Sequence, residues 1–85
     1  MKPYAMPELV SAAWQMKRRV GFSPTLWEYG MWSAARRQVT RRAGEQERLP
    51  SIPVVYRLCR KHNADWPQVS EAASAWGLRG EMRWV

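Results

Sequence analysis

Residues 51–78, SIPVVYRLCRKHNADWPQVSEAASAWGL, read as two short helices joined by a tight turn. Ser51 is a good N-cap, because its hydroxyl can accept a bond from the orphan N–H groups of a first helical turn. Pro53 falls in that turn, where a missing N–H costs little. Ile52, Val55, Cys59 and His62 then recur at helical spacing, with Leu58 beside them. At about 100° per residue, Arg57, Arg60 and Lys61 fall on the side opposite Val55. The helix therefore buries one face and presents a basic one. Asn63 and Ala64 break it. Asp65 restarts the chain as an N-cap, and Gln68 follows at the spacing of a capping box. Val69, Ala72, Ala73 and Trp76 form an i, i+3, i+4, i+7 stripe, while Pro67, Ser70, Glu71 and Ser74 face away. Gly77 is the expected C′ residue, with Leu78 folding back on the last turn.

Toward the N-terminus the same periodicity recurs twice. Residues 1–6 read as a loose arm, after which Pro7 opens a helix with Glu8 at the positive end of its dipole. Leu9, Ala13, Met16 and Val20 make its buried stripe, and Gly21 ends it. Lys17, Arg18 and Arg19 lie in the last turn, where they either complement the dipole or meet a phosphate. Trp14 projects away from the stripe and either packs under another element or forms an exposed contact. Thr25 and Glu28 then match a second capping box. The stripe of this helix is read as Trp32, Ala35 and Val39, with Tyr29 at its edge. Gly30 weakens it by about 1 kcal/mol relative to Ala. Arg36, Arg37, Arg41 and Arg42 follow, and Gly44 is the stop.

Residues 45–50, EQERLP, form a charged connector expected to be solvated. The C-terminal tail, residues 79–85, is too short for a helix of its own and is read as lying back across the core through Met82 and Trp84, with Val85 frayed. No strand-like alternation, internal repeat or low-complexity tract occurs. The expected fold is all-α: a small bundle of about four helices, near 7–20, 25–43, 52–62 and 66–76, with a helix-turn-helix-like second half. Its 85 residues are expected to form a single domain.

Hydrophobic residues make up 46% of the chain, enough to bury a core, and six Trp supply large apolar areas to a small one. The one cysteine excludes an internal disulfide and a Cys-rich zinc site, and fits a reduced, cytoplasmic setting. No apolar run reaches the ~18 residues of a membrane span, so no membrane partner is expected. The opening MKPYAMPELV lacks the uninterrupted apolar run of a signal peptide. Net charge is +7, from 14 basic and 7 acidic residues, which favours nucleic acid or another polyanion as partner.

A further pattern runs from about residue 9 to residue 78. Gly21, Pro24, Thr25, Glu28 and Tyr29 are followed by Pro50 and Ser51, then Trp66, then Ala72, Ala73, Gly77 and Leu78. In that order they resemble the helical repeat associated with homing endonucleases and HNH nucleases, which also occurs in stand-alone phage proteins. The spacings from Ser51 to Trp66 and from Trp66 to Gly77 are longer here, and Trp76 stands where that repeat has a small residue. The resemblance implies a small helical DNA-binding module of phage or mobile-element origin.

Catalytic chemistry has little support. An HNH nuclease needs at least two His, and this chain has one, His62, set among apolar positions. No Gly-rich phosphate loop and no G-x-S-x-G occurs. Glu45 and Glu47 are neighbours in the connector only. The chain is expected to be a non-enzyme that needs no metal and no cofactor. As a DNA-binding module it would use Arg57, Arg60 and Lys61 on the third helix, with Arg36, Arg37, Arg41 and Arg42 extending the footprint along the backbone. The alternative is a module that docks on, or inhibits, a host protein through Arg and surface Trp, with Trp14, Trp27 and Trp84 as candidates.

Overall fold

The computed structural model describes residues 3–44 and 48–84, and among them it has an all-α architecture of four helices and no strand. These are α1 (Met6–Val20), α2 (Leu26–Arg42), α3 (Ile52–Lys61) and α4 (Trp66–Arg79). The starts follow the local chemistry closely. Thr25 Oγ1 accepts from the Glu28 N–H at 3.2 Å, and Glu28 Oε1 accepts from the Thr25 N–H at 2.8 Å. Asp65 and Gln68 make the same reciprocal pair at 3.0 and 3.1 Å. Each box satisfies two donors that the helix start would otherwise leave open. Ser51 holds the N-cap position of α3, but its hydroxyl makes no capping bond.

Two helices stop at left-handed glycines. Gly21, with φ +81°, ends α1 as expected. The expected stop at Gly77 is wrong. Helix α4 runs through it to Arg79 and ends at Gly80, with φ +69°, whose N–H bonds to the Trp76 carbonyl at 2.9 Å. Leu78 accordingly stays exposed instead of folding back. Gly77 has a different task. A Cβ there would overlap the six-membered ring of Trp14, so its missing side chain is the seat for that ring. Trp14 is half-buried against α4, which resolves its two alternatives toward packing.

The pairs Trp14–Gly77 and Lys17–Ser74 set α1 and α4 antiparallel, with Lys17 Nζ donating to Ser74 Oγ. α1 also touches α2 and α3, which makes it the central helix. That position explains why Met6, Val10 and Ala12 are buried alongside the expected Leu9, Ala13 and Met16. A helix covered from more than one side needs more than one apolar stripe. α3 contributes Val55, Leu58 and Cys59, and α4 contributes Val69, Ala72 and Ala73, while Trp32 and Trp76 pack at half-buried positions.

Helix α2 departs most from its reading. Its buried residues are Tyr29, Ser33 and Thr40, while Ala35 and Val39, expected in the core, are exposed. Polar residues occupy the inner face because each hydroxyl finds a carbonyl there. Ser33 donates to the Gly30 carbonyl at 3.1 Å, Thr40 to that of Arg36 at 3.1 Å, and Tyr29 to that of Pro50 at 2.8 Å. A satisfied hydroxyl can be buried at little cost. Gly30 is also more than a weak spot: a Cβ there would lie 2.7 Å from the Ile52 side chain, so its absence lets α3 begin against α2.

The chain outside the helices is packed as well. Trp66 lies with its ring centroid 5.2 Å from that of Tyr29 and donates Nε1–H to the Pro24 carbonyl at 2.9 Å, tying the start of α4 to the turn before α2. The connector is not solvated throughout, since Leu49 and Pro50 are buried; Glu45 and Glu47 lie outside the described residues. Arg48 pairs with Glu8 at 2.5 Å and sits 4.4 Å above the Tyr4 ring, and Met6 is already helical and buried. The arm expected over 1–6 is thus anchored from Tyr4 onward. Met82 and Trp84 do pack back on the core, with the Trp84 and His62 ring centroids 6.4 Å apart; Val85 lies outside the described residues. The Cα radius of gyration, 12.2 Å, matches the ~12 Å of a compact chain of this length.

Candidate functional site

Helix α3 turns Val55, Leu58 and Cys59 inward, and its exposed residues are Pro53, Tyr56, Arg57, Arg60 and Lys61. The three cations stand at i, i+3 and i+4, neighbours about 5–6 Å apart at Cβ, so their fields add. No acidic residue shares this face, and none of the three makes an ion pair among the described residues. Tyr56 is 59% exposed beside them and presents an uncovered ring. The sequence reading passed over Tyr56, although its place outside the Val55–Cys59 stripe was a usable signal.

The four arginines of α2 do not make one open row. Arg37 turns inward and donates Nη1–H to the Leu49 carbonyl at 2.9 Å, where it holds the connector in place. Arg36 is half-buried, while Arg41 and Arg42 are exposed in the last turn. Of the three tryptophans named as surface candidates, Trp14 and Trp84 are half-buried and packed, and Trp27 is 75% exposed.

The remaining reactive groups are structural in their setting. Cys59 is buried, and burial, with the Asp65 charge adding to it, pushes its thiol pKa up and keeps it protonated. Burial likewise raises the Tyr29 phenol well above its ordinary value, against the opposing pull of Arg37. No group of three or more His, Cys, Asp or Glu among the described residues could hold a metal ion. Among the described residues no helix is long and apolar enough to cross a membrane. No protein family, no curated protein and no solved structure matches the chain. The candidate site therefore rests on the α3 surface alone.

Proposed function

We propose that this chain is a small nucleic-acid-binding protein that meets DNA through the exposed face of α3. The observation that carries the reading is the composition of that face, in which three of five exposed residues are cations that make no ion pair among the described residues and one is an uncovered tyrosine. Such a face attracts a phosphate backbone by charge and offers Arg57 or Arg60 to guanine edges. The sequence resemblance to the repeat of homing endonucleases points the same way.

The arrangement differs from the usual helix-turn-helix, in which the second helix of the pair enters the groove. α4, the second helix here, exposes Pro67, Glu71, Gly77, Leu78 and Arg79, a face with one cation and one anion. Its long axis packs on α1. The positive field belongs to α3, so α3 is the contacting helix in this proposal. Arg41 and Arg42 are not needed for it.

Anisotropy titrations of a labelled duplex of arbitrary sequence, from 50 to 200 mM salt, test the proposal. Three phosphate contacts give a log–log slope near −2.7, or about 40-fold weaker binding across that range. Arg57→Ala, Arg60→Ala and Lys61→Ala should each lower the slope by about one unit if the side chain meets phosphate. A base-reading Arg would show itself differently, by a loss of about 1–3 kcal/mol confined to certain sequences. A triple variant that is folded and binds like wild type would refute the assignment to α3. Absence of binding at low salt would refute the function.

A further inference from the structure

The exposed face of α3 is divided along its length. Pro53 and Tyr56 occupy its N-terminal half, and Arg57, Arg60 and Lys61 its C-terminal half. At about 100° per residue, Arg60 stands one turn beyond Tyr56 on the same row, and Arg57 stands beside both, in line with Lys61. Tyr56 is 59% exposed. Among the described residues its ring stacks on no aromatic and lies under no cation, and its hydroxyl has no hydrogen-bond partner. The other tyrosines are occupied: Tyr4 lies under the Arg48 guanidinium, and Tyr29 lies against Trp66 and donates to the Pro50 carbonyl.

We propose, on the nucleic-acid reading of α3, that Tyr56 is a stacking platform for an unpaired base, and that this surface holds single-stranded DNA in preference to duplex. The cations select a polyanion as occupant, and the ring selects its form. In a duplex the base faces are covered by their neighbours, so a helix in the major groove meets base edges, methyl groups and phosphates. An unpaired strand offers the face of each base. A base on an aromatic ring, with cations beside it for the backbone, is the arrangement that holds single strands with little regard to sequence. Pro53, exposed three residues before Tyr56, extends the apolar platform on one side, and Arg57, Arg60 and Lys61 face the phosphates on the other. From Pro53 to Lys61 the face is about 12 Å long, so platform and cations meet neighbouring nucleotides of one strand.

Charge by itself works the other way. The denser phosphates of a duplex release more counterions per contact, a log–log salt slope of about −0.9 each against about −0.7 for a single strand. A preference for single strands is therefore a signature of the ring and not of the net charge of +7.

Anisotropy titrations of one labelled strand of about 12 nucleotides, without self-complementarity, test the proposal when run on the strand alone and on the strand annealed to its complement. The single strand should bind at least about fivefold more tightly than the duplex at equal salt, with a slope near −2.1 for three phosphate contacts. Tyr56→Ala should weaken single-strand binding about 5–150-fold and leave duplex binding unchanged, which erases the preference. Its helicity and Tm should stay near those of wild type, because the side chain is mostly exposed. Tyr56→Phe keeps the ring and should bind the strand like wild type. Equal losses in Tyr56→Phe and Tyr56→Ala would assign the hydroxyl to a phosphate and overturn the stacking role. A duplex bound as tightly as the single strand, or a single-strand preference that survives Tyr56→Ala, overturns the proposal and leaves the nucleic-acid reading of α3 standing. Binding to neither form at low salt overturns both.

Discussion

Replacing Gly77 by Ala should destabilise this protein, against the ordinary trend for a glycine inside a helix. At an unobstructed helical site the change gains about 1 kcal/mol, because Ala gives up less backbone entropy and keeps the helix favourable. At Gly77 the added Cβ would overlap Cε2, Cζ2 and Cη2 of Trp14. Those atoms belong to one rigid plane, so the ring must leave as a unit or α1 and α4 must separate. Overpacking of this kind costs about 1–3 kcal/mol, which leaves a net loss of up to about 2 kcal/mol after the gain in propensity. For a chain of this size that is a fall in Tm of up to about 15 °C. Truncating the ring first should reverse the sign. In a Trp14→Ala background, itself destabilised, Gly77→Ala should stabilise by about 0.5–1 kcal/mol. The coupling between the two sites is then the overpacking cost itself, about 1–3 kcal/mol, within the range for residues in direct contact. Urea unfolding of the four proteins, with matched m-values, measures it. Equal stabilisation by Gly77→Ala in both backgrounds would refute the close approach of Trp14 and with it the α1–α4 register.

Gly30→Ala is the counterpart, because the new Cβ meets the outer atoms of Ile52, which can rotate; a change within about 1 kcal/mol of zero is expected by thermal melts. Trp66→Ala removes both the ring on Tyr29 and the bond to Pro24, and should cost about 3 kcal/mol, with Trp66→Phe restoring all but the ~1 kcal/mol of the hydrogen bond. Tyr29→Phe leaves the buried Pro50 carbonyl without its donor, a loss of about 1–3 kcal/mol in denaturant titrations. The same hydroxyl gives an alkaline signature. Its folded pKa lies above the unfolded 10.0, so the stability it confers is complete below pH 10 and falls as pH rises beyond it. Wild type should therefore lose stability above pH 10 more steeply than Tyr29→Phe; parallel curves would remove Tyr29 as the cause. Cys59 should react with an aromatic disulfide reagent only as fast as the protein opens, measured against free cysteine.

Local chemistry settled much of this molecule from the chain alone. The two capping boxes, Gly21 at the end of α1, and the amphipathic pattern of α3 follow from residues a few positions apart, and the helices stand where those residues put them. The basic face of α3 was legible for the same reason: Arg57, Arg60 and Lys61 share a side of any helix that buries Val55. Only the tertiary structure decided the roles of residues whose partners are distant in sequence. Gly77 reads as a stop until Trp14, on another helix, fills the space above it. The burial of Ser33 and Thr40 is likewise decided by which face of α2 meets the other helices, although their hydroxyls bond to carbonyls of their own helix. Hydropathy then assigned Val39 and Ala35 to the wrong side of α2. Arg37 reads as one more surface cation until the Leu49 carbonyl appears beside it. A pattern of 3.6 residues can say that a helix has two faces, but which face is inside depends on what packs against it.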